Sequence, residues 1–183
     1  MPPDEGIGSP LRRILLPVGD TSGVIEEFRS LYDPLPGKDR LSGRCPAHIT
    51  IVSPFQSQVG IEKISEWMDL VCKNRLSFGL KAGPAQVRDG WIFLPVKSQQ
   101  KWLVEAHQKL SKKSGALPDP NYSPHVMLGR MVPAGADPEN EKALERELGK
   151  LPKSFHLNAT FLLLEAIDAA AVSHPLHESH FRM

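Results

Sequence analysis

The sequence predicts an α+β fold built as two pseudo-symmetric lobes. Three observations predict it. The order strand, helix, histidine-bearing strand, helix, strand reads twice along the 183 residues. The two histidine strands, around His48 and His125, lie 77 residues apart, and the helices that follow start near Gly60 and Asp137, again 77 apart. Each histidine strand alternates apolar and polar positions and opens just after a proline, Pro46 or Pro124, where a missing N–H costs little. This period is too long for a solenoid repeat and reads as a duplicated βαβαβ unit. Two such copies are related by a pseudo-two-fold axis, and histidine strands near that axis would send both imidazoles into one groove. Outside the histidine stretches the halves share little sequence.

Taken in order, Met1–Pro10 reads as a disordered lead-in and residues 11–183 as one bilobal domain. Arg13–Gly19 is a first strand built on Ile14, Leu15, Leu16 and Val18. Thr21 or Ser22 caps a helix with Val24, Phe28 and Leu31 on one face. Asp33–Gly43 is a loop rich in proline, glycine and charge. The His48 strand ends at Ser53-Pro54. After Gly60 comes an amphipathic helix carrying Ile61, Ile64, Met68, Val71 and Cys72 at helical spacing. Leu76–Leu80 is a strand, and Gln86–Val96 is a hairpin turning at Asp89-Gly90. Gln99–Lys113 is a helix with Leu103, Ala106 and Leu110 inward. A proline-rich loop, Gly115–Pro124, leads into the His125 strand. Asp137-Pro138-Glu139 starts a helix with a capping acid and a proline at its first position, and Leu144, Leu148 and Leu151 form its stripe. Phe155–Leu164 is one long strand, and the tail from Ala169 adds another.

Composition narrows the function. Hydrophobic residues make up 40% of the chain, enough for a packed core. The net charge is +1, from 22 basic and 21 acidic residues, so no global field draws in long nucleic acid, and a nucleic-acid partner is short or held locally. The two cysteines, Cys45 and Cys72, make no disulfide framework, which suits a reducing compartment. The one early apolar run, Ile14–Val18, is too short for a signal-peptide core or a membrane span. A cytoplasmic monomer with no membrane partner is the expectation.

The chemistry sits in two stretches. In CPAHITIVSPF, Ile49 and Ile51 share one strand face and His48 and Thr50 the other. In SPHVMLGR, Val126 and Leu128 share a face, and His125 and Met127 lie opposite. HITIVSPF and SPHVMLGR resemble the paired motifs of the two-histidine phosphoesterase superfamily, which includes the 2′-5′ RNA ligases and cyclic phosphodiesterases. The resemblance covers Leu11 to about Asp168. It implies an antiparallel-rich sheet with flanking helices in each lobe and a central cleft between the sheets. It also implies metal-independent hydrolysis of 2′,3′-cyclic or 2′-5′ phosphodiesters at RNA ends or on nucleotides, with no cofactor. His48 and His125 are then the acid and base, in either assignment, because imidazole changes charge near neutrality. Thr50 donates to a phosphate oxygen. Met127 stands where the superfamily has threonine or serine, which leaves half the phosphate cradle without a donor. Arg130 is a candidate replacement, but on a regular strand its parity sets it opposite His125, and it reaches the groove only if the strand bends near Gly129. The alternative function is an RNA-end or nucleotide-binding module with weakened or lost catalysis.

Other candidates are weaker. Phe55 and Tyr122 flank the motifs and are candidates to stack on a base, with core packing as the competing reading. Arg44 is a phosphate contact or a solvated loop residue. His174, His177 and His180 have a spacing that a metal site could use, but Pro175 breaks any helix through them and a solvated tail is the expectation. Ser53 and Ser123 lack the glycines of a nucleophile elbow. His107 and His156 sit in ordinary helix and strand patterns.

Overall fold

The computed structural model describes residues 10–20, 22–32, 47–89, 91–130, 138–170 and 172–183. The expected lead-in (apart from Pro10), the Asp33–Gly43 loop with Arg44 and Cys45, and the caps Thr21 and Asp137 lie outside them. Along the chain run β1 (Leu11–Asp20), α1 (Val24–Tyr32), β2 (His48–Phe55), α2 (Ile61–Cys72), β3 (Phe78–Ala82), β4 (Gln86–Arg88), β5 (Trp91–Pro95), α3 (Gln100–Ser114), β6 (His125–Arg130), α4 (Pro138–Gly149), β7 (Phe155–Ala159), β8 (Phe161–Ile167) and β9 (Ser173–His180). The βαβαβ unit is therefore present twice, as β1-α1-β2-α2-β3 and β5-α3-β6-α4-β7.

Local chemistry explains the ends of these elements. The cap of α1 is Asp20: its carboxylate accepts the Ile25 N–H at 2.9 Å and the Ser22 N–H at 3.0 Å. Burial alone would raise its pKa, but these bonds outweigh that and hold it below the usual value. In the β4–β5 hairpin Arg88 pairs with Trp91, which leaves a two-residue turn with Asp89 at φ 51°, the positive φ that a tight hairpin turn requires. The partner turn residue, Gly90, lies outside the described residues. The long strand expected over Phe155–Leu164 is instead two strands, broken at Thr160. There the carbonyl accepts the Phe181 N–H at 2.9 Å, one step beyond the Phe161–His180 pair of β8 and β9, while the β7 ladders stop at Ala159.

All pairings between the named strands are antiparallel. One sheet runs β9-β8-β1-β2-β6-β5-β4, the other runs β3-β7-β1, and the two share β1. The sharing follows from the break at Thr160. On the edge of β1 away from β2, Leu11–Leu15 pairs with β8 and Val18–Asp20 pairs with β7.

The pseudo-two-fold axis can be located from the register. Ile49 pairs with Val126, and Leu80 pairs with Leu157. Each pair joins positions 77 apart, so each residue meets its own equivalent in the other copy, as antiparallel strands do across a two-fold axis. The axis passes between β2 and β6 and between β3 and β7. The same operation relates Pro17 opposite His48 to Pro95 opposite His125. It also relates the Val18–Ala159 pair to the Ala82–Val96 bridge. Aligned this way, the halves share more sequence than expected. Leu16-Pro17-Val18 answers Leu94-Pro95-Val96, and Phe78, Leu80 and Ala82 answer Phe155, Leu157 and Ala159.

The core lies on one side of the central strands. Ile14, Leu16, Ile49, Ile51, Leu94, Val126 and Leu128 pack with Ile25 and Phe28 of α1, Ile64 and Met68 of α2, and Leu103 and Leu110 of α3. Helix α1 packs against β6 and α3 against β2, so each lobe's helix supports the other lobe's histidine strand. Burying each such aliphatic side chain is worth about 1.5–3 kcal/mol. This packing holds one face of β2 and β6 against the helices and turns the other outward. Among the described residues no helix is long and apolar enough to cross a membrane.

Candidate active site

Period-two alternation and one register pair bring the two motifs together. With Ile49 opposite Val126, an antiparallel ladder sets Thr50 beside His125 and His48 beside Met127, all four on the face away from the core. His48 and His125 are then diagonal neighbours, a relation that spans about 7–8 Å between strands. Each motif's third residue lies beside the histidine of the other motif, so the position lacking a hydroxyl is next to His48.

A cleft of about 320 Å³ opens over this face. Its floor holds Thr50, His125 and Met127, and one wall is Trp91 and Phe93 of β5 with Arg88 and Asp89 of the hairpin. The other wall is the loop Asp119, Asn121, Tyr122 and Ser123. His48 lies on the same side of the sheet, is 9% exposed, and is not among the lining residues. The His125 Nδ1–H donates to the Ser123 carbonyl at 2.8 Å, which leaves Nε2 to take or give a proton. The ring meets Phe93 edge-on at 5.5 Å between centroids.

The Asp119–Ser123 loop is held by a residue that sequence reasoning set aside. His107 of α3 is buried, with Nδ1 2.7 Å from the Ile51 carbonyl and Nε2 2.9 Å from the Asp119 N–H. It is a neutral imidazole, donating to the first and accepting from the second. Its ring stacks on Tyr122 at 4.0 Å and 6°. The Tyr122 hydroxyl donates to the Thr50 carbonyl at 2.8 Å, and burial raises its pKa.

The remaining expectations divide. Tyr122 lines the cleft, but with one ring face already taken by His107. Phe55 is 7% exposed and belongs to the hydrophobic core. Phe55 shares the parity of the core residues Ile49 and Ile51, so base stacking is corrected to core packing, the competing reading, for this residue. The condition set for Arg130 was a bend near Gly129, and β6 is irregular there. Phe93 pairs with Met127 but Ile92 pairs with Gly129, so Leu128 is an extra residue and residue 130 pairs with the cleft residue Trp91. The Arg130 side chain lies outside the described residues. Arg88, Trp91 and Phe93 line the cleft but belong to neither histidine motif. The parity of Trp91 and Phe93 against the core residues Ile92 and Leu94 was the available signal.

The tail histidines lie on β9 and do not converge. His174 bonds Asp168 at 2.8 Å, His177 bonds Asp69 at 2.9 Å and His180 bonds Glu178 at 3.0 Å. Cys72 is buried, which pushes its thiol up to about 12 and makes it inert as a nucleophile.

No protein-family model and no curated protein matches this sequence. Solved structures do. A phosphoesterase aligns over 96% of this chain and 99% of its own, with a TM-score of 0.57 at 17% identity. E. coli LigT complexed with NADP+ aligns over 96% and 99%, with a TM-score of 0.59 at 16% identity. E. coli LigT complexed with 3′-AMP aligns over 94% and 99%, with a TM-score of 0.55 at 17% identity. The chain therefore has the fold of E. coli LigT and of that phosphoesterase, the α+β architecture that its two histidine motifs implied.

Proposed function

We propose that this protein is a metal-independent phosphoesterase acting on 2′,3′-cyclic or 2′-5′ phosphodiesters of RNA ends or nucleotides, with His48 and His125 as its acid–base pair. The observation that carries this reading is the Ile49–Val126 register, which sets both imidazoles on one face as diagonal neighbours. Water attacks phosphorus while one histidine takes its proton. The bond from phosphorus to a ribose oxygen breaks, and the other histidine protonates that oxygen. Thr50 donates to a non-bridging oxygen as charge builds there. Arg88, in the cleft, and Arg130, whose backbone pairs with Trp91, are the cations that stand in for the donor Met127 lacks. Trp91, Phe93 and Tyr122 offer apolar ring surface for a nucleoside. Nucleotides bound to similar folds, NADP+ and 3′-AMP on E. coli LigT, favour the same substrate class.

The test is turnover of a nucleoside 2′,3′-cyclic phosphate. One imidazole must be neutral and the other protonated, so the rate is expected to be bell-shaped in pH, and it is expected to survive EDTA. Loss of activity on chelation, restored by a divalent ion, would end the metal-free scheme.

Met127 yields a second prediction. Met127→Thr restores a hydroxyl beside His48, and kcat is expected to rise by roughly 10-fold to 10²-fold, below the 10²–10³ typical for deleting an optimised donor. An unchanged kcat in a folded variant would show that the missing hydroxyl does not limit the rate. Met127 also supports the second reading, a binding module for RNA ends or nucleotides. A wild type that binds 3′-AMP but turns over no cyclic phosphate, with binding unchanged in His48→Ala and His125→Ala, would establish that reading.

A further inference from the structure

We infer that His107, a buried histidine on α3 outside both motifs, is a positioning residue that fixes the orientation of His125 through the Asp119–Ser123 loop. The inference rests on the proposed function for its catalytic meaning, though not for its geometry. His107 bonds both sides of the cleft at once. Through Nδ1 it holds the carbonyl of Ile51, next in the chain to Thr50, at 2.7 Å. Through Nε2 it holds the Asp119 N–H at 2.9 Å. Its ring carries Tyr122 on one face at 4.0 Å, and Tyr122 in turn bonds the Thr50 carbonyl at 2.8 Å. The next residue, Ser123, supplies the carbonyl that fixes the Nδ1–H tautomer of His125, at 2.8 Å. The proton-transfer nitrogen of His125 is thus set by a loop, and the loop is set by His107.

The arrangement requires imidazole. Phenylalanine would keep the stacking on Tyr122 but leave the Ile51 carbonyl and the Asp119 N–H without this partner. A nearby hydroxyl, Ser111 Oγ, lies 3.5 Å from Nδ1 and offers no substitute for Nε2, the nitrogen that bonds the loop. The two bonds can be separated by side-chain length. Nδ1 is bonded directly to Cγ, where asparagine carries its amide atoms. Nε2 is one atom farther out, where glutamine carries its own. His107→Asn therefore keeps the strand bond and loses the loop bond, and His107→Gln does the reverse.

The test compares these variants well below their melting temperatures. His107→Gln is expected to stay within about threefold of wild type in kcat. His107→Asn and His107→Phe are expected to lose roughly 10-fold to 10²-fold in kcat, the scale of an ångström-level misplacement of a catalytic group. Long-range 1H–15N spectra of the imidazole rings provide a readout that needs no turnover. The Nδ1–H tautomer of His125 is expected to persist in His107→Gln and to give way to a mixture in His107→Asn. If His107→Phe fails to fold, the Asn and Gln pair decides the matter alone. Equal kcat and unchanged His125 spectra in that pair, whatever their melting temperatures, would reduce His107 to a core residue and overturn the inference. A wild type with no turnover would overturn the proposed function instead, and the spectra would still test His107.

Discussion

His125→Ala is expected to lower kcat on a nucleoside 2′,3′-cyclic phosphate by about 10²–10⁴-fold, and His48→Ala by a similar factor, the usual worth of one positioned proton-transfer group. The expectation for His125 rests on the Ser123 carbonyl, which takes the Nδ1 proton and leaves Nε2 for the reaction. For His48 it rests on the ladder, which sets this residue on the cleft side of β2 beside Met127. Because the pair acts on a single transition state, the double variant is expected to lose far less than the product of the two single losses. KM is expected to change little, since Thr50 and the aromatic wall of Trp91 and Phe93 remain. Initial rates, with circular dichroism to confirm folding, check this. Single variants that both keep more than about a third of wild-type kcat would remove the two histidines from the chemistry.

Glu165→Ala is expected to cost about 3–5 kcal/mol of stability, the usual result of removing one member of a buried ion pair. In a domain this size that corresponds to a fall in Tm of about 6–20 °C. Arg13 and Glu165 are direct cross-strand partners on β1 and β8, joined at 2.8 Å, with side chains only 7% and 4% exposed. The Arg13 guanidinium also donates to Ser173 Oγ at 3.0 Å, which ties in β9. Removing the carboxylate takes away the counter-charge that Glu165 supplies to a buried cation. The pair lies on the cleft side of the sheet beside Leu15 and Leu163, away from the main core, so the loss is expected to reach the His48 lobe first. Exchanging both residues, Arg13→Met with Glu165→Leu, is expected to recover most of the loss, because an apolar pair needs no counter-charge. Thermal unfolding of the three variants decides it. A Glu165→Ala protein within about 1 kcal/mol of wild type would mean that the buried charge is neutralised by other groups.

Much of this was legible in the sequence because it depends on local periodicity. Alternation at Ile49 and Ile51, and at Val126 and Leu128, set the buried face of each histidine strand, and with it the open face of His48, Thr50, His125 and Met127. The spacing of 77 located the duplication, and the structure returned that spacing as the self-pairs Ile49–Val126 and Leu80–Leu157. What the sequence could not supply arose where the alternation slips or where distant elements meet. The bulge at Leu128 changed the partner of residue 130. His107 looked like any helix histidine until tertiary packing put a strand carbonyl and a loop N–H at its two nitrogens. A side chain's face is set by the two residues beside it, so the sequence by itself determined which residues share the open face. Which of them meet, at what distance, and what holds them there depends on strand register and helix docking. Those are set by contacts between residues far apart in the chain, and only the tertiary structure decided them.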